Sequence, residues 1–226
     1  MNTTSNSRKL ALVLLFAAML GASSSLRAQN TQGKPAAPAA AATAQPSPLA
    51  VKAVADKLAP AGWMRYEIGA PSRFSLILPT TPTEVMNQLD VMPGVTLTVR
   101  NYMVASETGV YGATYIVGFS ASAANWTDAN KKTFFEGFTN GFVKGFQEGM
   151  SKQGANEELK VLGQRTATAS GFAGHEQDFA FGAILGRVRM VFVGQSAYAM
   201  AAFWNERASE SERQAFFESL RVNAQR

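Results

Sequence analysis

The only histidine of the 226-residue chain, His175, stands in the phrase GFAGHEQDF beside Glu176 and Asp178. Histidine with carboxylates is the raw material of general-base catalysis, which also needs a nucleophile within reach and a carboxylate to orient the ring. A metal site would need two or three further ligands at suitable spacing. The sequence supplies neither pattern, and no G-x-S-x-G elbow marks a serine nucleophile. His175 therefore reads as an exposed or strand-end residue without catalytic duty. The absence of cysteine removes disulfides, thiolate nucleophiles, cysteine-held metals and a lipid-modified N-terminal cysteine together. Glu67, Glu84, Asp90 and Glu107 show no calcium-loop spacing, and no strand leads into a phosphate-binding glycine loop. The expectation is no catalytic residue, no bound metal and no cofactor.

Two other groups could do chemistry of recognition. Arg187 and Arg189 share one face of a strand, where guanidinium forks suit carboxylate or phosphate. Glu176 and Asp178 on the preceding strand offer them a simpler end, cross-strand ion pairing. The phrase GFTNGFVKGFQEGM places Gly137, Gly141, Gly145 and Gly149 every fourth residue, each followed by Phe138, Phe142, Phe146 or Met150. Four glycines inside a helix cost on the order of 4 kcal/mol relative to alanine, which calls for a compensating gain. One such gain is a close-approach seam for self-association or membrane insertion. The other is a phenylalanine stripe packed on a sheet, with the glycines bringing the helix axis close. Lys144, Gln147 and Glu148 make the segment too polar to span a bilayer. The interaction-surface residues singled out are thus Gly137, Gly141, Gly145, Gly149, Arg187 and Arg189.

The elements that must position these residues begin after a leader. Arg8 and Lys9, an apolar run Leu10 to Leu20, then small residues up to Ala28 have the order of a cleavable secretory signal, assigned to residues 1–28. Three of the 21 basic residues (Arg8, Lys9, Arg27) lie in it, leaving 18 basic against 16 acidic, a balance that argues for neither nucleic acid nor an anionic membrane. Residues 29–58 form an Ala/Pro-rich tether, too poor in apolar surface to offset its ordering entropy, with a short helix expected within Leu49–Leu58. The rest, 59–226, fits one domain.

Within it, Phe74 to Leu78 alternates as a central strand that Pro79 and Pro82 stop, and Val95 to Val104 with Val110 to Phe119 reads as a hairpin. The period then changes to that of one long amphipathic helix from Lys131 to about Ser151, with Thr127 as its cap. Four alternating segments follow between Leu159 and Trp204, divided by glycine-bearing turns. Ser209 with Glu212 forms a capping box that opens a last helix. The aromatic set Trp63, Tyr66, Tyr111, Tyr115, Tyr198 and Trp204 falls on strand positions and reads as core. Strands, helix, strands, helix make an α+β fold, an antiparallel sheet packed between helices with one long central and one C-terminal helix.

In order and spacing these landmarks resemble the PsbP-like fold, shared by extrinsic photosystem II proteins, a small eukaryotic Ran-binding factor and exported bacterial members of unassigned function. The likeness rests on Trp63 and Tyr66 ahead of FSLILPTTPTE, Tyr111 and Tyr115, the long helix, GFAGHE at 171–176, RVRMVFVGQSAYAMAA at 187–202 and FFESLRV at 216–222. It implies an antiparallel sheet between helical layers in an α/β/α sandwich, and binding or assembly more than catalysis. It carries over no site residue. The expectation is an exported, periplasmic or secreted, non-enzymatic binding domain. Its partner would be an envelope protein, met without nucleic acid and near a membrane surface, with the oligomeric state left open.

Overall fold

A computed structural model describes residues 48–69, 73–92, 95–119, 125–151 and 157–223. The signal segment expected over 1–28 and the expected tether as far as residue 47 lie outside the described residues. Eleven strands and two helices are described, in the order β1 (Val51–Val54), β2 (Met64–Ile68), β3 (Phe74–Leu78), β4 (Thr83–Met92), β5 (Val95–Ala105), β6 (Gly109–Val117), α1 (Asp128–Ser151), β7 (Lys160–Ala169), β8 (Phe172–Phe181), β9 (Ile184–Val193), β10 (Ser196–Trp204), α2 (Glu210–Glu218) and β11 (Arg221–Val222). They build a seven-stranded sheet in the order β4-β5-β6-β10-β9-β8-β7 and a four-stranded sheet in the order β1-β2-β3-β11, with every pairing antiparallel.

The large sheet has an apolar residue at nearly every position of β10, so both of its faces must be covered. One face takes α1. Phe135, Phe142 and Phe146 are buried with Val188, Met190, Phe192, Ala197, Ala199 and Phe203. The other face takes the small sheet and α2 around a second core of Tyr66, Phe74, Tyr102, Tyr111, Tyr115, Tyr198, Trp204, Phe216 and their neighbours. The helix–sheet–helix layering expected of the fold is present, and α2 shares its layer with the four-stranded sheet. All six residues of the aromatic set belong to this second core.

Local chemistry explains the element ends. Thr127 Oγ1 accepts from the Asn130 N–H at 3.2 Å and opens α1. Ser209 and Glu212 make the reciprocal capping box at the start of α2. Gly194 has φ +56° in the two-residue turn joining β9 to β10, the left-handed start that a tight hairpin demands.

Three differences from the sequence reading are physical. The short helix expected within Leu49–Leu58 does not form. Val51–Val54 is instead paired from Val51↔Ile68 to Val54↔Arg65, and this carries the folded part to the N-terminal side of residue 59. Its valines are stiff at χ1 and suit a strand, and β2 has an open edge to receive them. β4 was not legible because TEVMNQLDVM mixes Asn, Gln and Asp into the run; backbone pairing with β5 holds it at the sheet edge. His175 is not at a strand end: it sits mid-β8, buried, its ring 5.7 Å from that of Phe135.

Candidate functional site

The register of β7, β8 and β9 decides where the charged residues go. Arg165 lies opposite Glu176, Glu176 opposite Arg189, and Asp178 opposite Arg187, which sets three arginines and two carboxylates on the α2 side of the large sheet. Glu176 is the hub, its side chain only 3% exposed. Its Oε2 accepts from Arg189 Nε at 2.6 Å and its Oε1 from Arg165 Nη2. Asp178 accepts from Arg165 Nη1 at 2.6 Å and from Arg187 Nε at 2.7 Å. Burial pushes the Asp178 carboxyl upward, but hydrogen bonds from Arg165 and Arg187, with their charges, outweigh it and hold it below its ordinary value. Arg189 also donates from Nη1 to the Phe217 carbonyl at 2.9 Å. The guanidinium carbons of Arg187 and Arg189 lie 5.5 and 5.4 Å from the Phe217 ring centroid, within cation–π range. The two arginines thus tie α2 to the sheet, and Arg187 keeps part of its surface in water.

The glycines fall on α1, across the sheet from this network. Gly137 and Gly141 are half-buried and Gly145 is buried. A β-carbon on Gly137 would meet nothing within 4 Å, so no close approach explains that position. The phenylalanines beside the glycines face inward. Phe142 stacks on Phe203 with centroids 5.6 Å apart, and Phe146 lies edge-on to Phe181 at 5.0 Å. The apolar stripe of α1 is therefore used inside the domain, as buried packing supplies most of a helix's stability in a globular fold.

Beyond the network lies the sheet edge. β7 is exposed at seven consecutive positions, Lys160 to Thr166, and among the described strands it pairs with β8 alone. Val161 and Leu162 are 51% and 58% exposed, and Leu185 on β9 is 43% exposed. A register shift between Val161 and Gly163 leaves Leu162 without a partner across the ladder. Sequence reasoning missed this feature. Its signal was the run KVLGQRTATA, in which polar residues stand on both faces of a strand and thereby deny it a covered side.

Among the described residues no group of three or more His, Cys, Asp or Glu could hold a metal ion. Among them, too, no helix is long and apolar enough to cross a membrane.

No family model matches the chain, and neither does any curated protein. Among solved structures it is similar to cyanobacterial PsbP (CyanoP) from Synechocystis sp. PCC 6803, at a TM-score of 0.42 and 9% identity, covering 75% of this chain and 98% of that one. It is also similar to a protein from Bacteroides thetaiotaomicron VPI-5482, at a TM-score of 0.27 and 12% identity, over 67% of this chain and 45% of that one. The first is a PsbP. That is the fold family that the order of landmarks resembles. At these values neither likeness assigns a residue, a ligand or a role.

Proposed function

We propose that this chain is an exported, non-enzymatic binding domain of the cell envelope, held on its Ala/Pro tether, which docks another protein along the β7 edge of the large sheet. The observation that carries this reading is the exposure of β7 from Lys160 to Thr166, with Val161 and Leu162 in water. An edge strand presents a row of N–H and C=O groups that an extended segment of another chain can pair with, while side-chain pockets beside it select the partner. Arg165 stands on that strand and Arg187 two strands in on the same face; both are ion-paired yet partly exposed, so the network puts polar, charged surface beside the edge. The glycines of α1 lie outside this surface.

The test is crosslinking in the envelope fraction with wild-type protein and with Val161→Lys/Leu162→Lys. A partner captured by the first and lost by the second, at unchanged unfolding temperature, supports the reading. A partner retained by the double variant refutes docking at β7. A reproducible turnover that vanishes on replacing one polar residue refutes the non-enzymatic assignment. Export is checked separately by fractionation and by N-terminal sequencing for cleavage after Ala28.

A further inference from the structure

The two faces of β7 carry different chemistry. Lys160, Gly163 and Arg165 pair with Ala180, Asp178 and Glu176, so they stand on the α2 side of the large sheet. Val161, Gln164 and Thr166 pair with Phe179, Gln177 and His175 and stand on the α1 side. The α1 side of this exposed stretch is therefore uncharged, whereas its α2 side bears Lys160 and Arg165 and no carboxylate.

The charge on the α2 side is not cancelled behind the edge. Arg165, Arg187 and Arg189 share two carboxylates, Glu176 and Asp178, which leaves the network one positive charge in excess. Lys160 makes no ion pair among the described residues. Arg165 holds both carboxylates through its Nη groups, and its Nε finds no acceptor among the described residues. Arg187 holds them through Nε, and its Nη groups find no acceptor among the described residues. Gly163 leaves a gap between Lys160 and Arg165, since a β-carbon there would meet nothing within 4 Å. A side chain arriving on a new neighbouring strand has room to lie across that gap toward the two arginines that hold Asp178. Glu157 and Glu158 precede β7, and Glu157 lies against Gly182 in the turn from β8 to β9. They offset the charge at the Lys160 end, so the cationic stretch is the one from Gly163 to Arg165.

We propose that the segment docked on β7 is an extended acidic stretch of another protein, with carboxylates at positions i and i+2 opposite Gly163 and Arg165 and a β-branched apolar residue beside Val161 on its other face. This rests on docking at the β7 edge and adds what is recognised there. Side chains of a strand alternate between faces, so two carboxylates separated by one residue both meet the cationic side. A carboxylate that reaches Arg165 Nε or an Arg187 Nη group makes a charge-assisted hydrogen bond. A basic segment would add to the existing positive excess, and a wholly apolar one would desolvate Arg165 without a new partner. A second copy of β7 brings its own Lys160 and Arg165 to the same face and is disfavoured by like-charge repulsion.

The experiment is a titration of the isotope-labelled full chain, read at the backbone amides, with three end-blocked peptides. One is Thr-Val-Glu-Val-Glu-Val-Thr, and the others carry glutamine or lysine in place of both glutamates. Saturable shifts from Lys160 to Thr166 are expected, with the glutamate peptide bound about five- to tenfold tighter than the glutamine one. That preference should fall below about twofold in roughly 1 M sodium chloride, where the screening length is ~3 Å, and in Arg165→Gln. Equal binding of the glutamate and glutamine peptides at these amides overturns the acidic preference while docking at β7 stands. Tightest binding of the lysine peptide overturns it as well. If none of the three shifts these amides, docking at β7 falls and this inference falls with it. Arg165→Gln removes a partner of Glu176, so its unfolding temperature is measured alongside; the three peptides on the wild type decide the question even where that variant does not fold.

Discussion

Phe203 lays its ring over the backbone of Gly186, in the space that a β-carbon at that position would need. The two residues are paired across β9 and β10, and the ring cannot retreat because Phe142 and Phe146 stack on its other side at 5.6 and 6.1 Å. Gly186→Ala is therefore expected to destabilise the domain by about 1–3 kcal/mol, the usual range for overpacking a core. Thermal unfolding checks it. A variant as stable as the wild type would show that the stack has room to shift.

Gly137 gives the opposite sign. It lies inside α1 with open space around it, so Gly137→Ala adds a better helix former without a clash. A gain of roughly 0.5–1 kcal/mol is expected. Denaturant unfolding measures it, and a loss would indicate that something outside the described residues packs there.

Glu176 holds Arg165 and Arg189 at once in a nearly buried position, with Arg187 Nε 3.5 Å from its Oε1. Glu176→Gln leaves those cations with Asp178 as their remaining carboxylate in the network and loosens the hold on α2 through Arg189. Removing one member of a buried ion pair costs ~3–5 kcal/mol, and partial exposure of Arg165 and Arg187 places this case at the lower end. Hydrogen exchange in α2 should rise more than in α1. Equal rises in both helices would dismiss the arginine tie.

Two pH windows follow from the shifted groups. Burial lowers the His175 value below 6.5, with the charges of Asp128, Lys132, Glu136 and Lys131 acting around it. The unfolded chain then binds the proton first, so stability present above pH 6.5 falls as pH drops toward the depressed folded value. Asp56, held low chiefly by its hydrogen bond from Arg65, and Asp178 behave as depressed carboxylates. Their contribution is full above 3.8 and is lost as pH falls through their folded values. Unfolding temperature measured from pH 8 to pH 2 should show both descents. His175→Phe should remove the upper one and leave the acid limb; an unchanged upper descent would assign it to another group.

Much of the fold was legible because period is written in residue types. The phenylalanines of α1 recur at helical spacing, and Tyr198, Met200, Ala202 and Trp204 alternate against Ala197, Ala199 and Phe203 on β10. What stayed hidden depends on partners distant in sequence. Val51–Val54 becomes a strand only because β2 has an open edge. Arg221–Val222 adds to β3 through two residue pairs. The cation pairs of Arg187 and Arg189 were readable from strand order, whereas the meeting of Tyr66 and Phe74 with Tyr102, Tyr115 and Tyr198 in one core required the two sheets to be stacked. No local pattern encodes that approach.

The small sheet has a further consequence for how the domain is carried. Val51, Ile68, Phe74 and Val222 form one row across its four strands, so the folded chain enters and leaves at the same pole. The opposite pole bears the Ser106–Gly109 turn, next to which Asn205 Nδ2 donates to the Glu107 carbonyl. An attachment made through the chain before residue 48 would therefore hold the domain at the pole of that row and leave the Ser106–Gly109 turn at the far one. A short loop joining the two entry strands, with new ends cut at the far turn, would invert that presentation without altering a single pair of the large sheet's ladder.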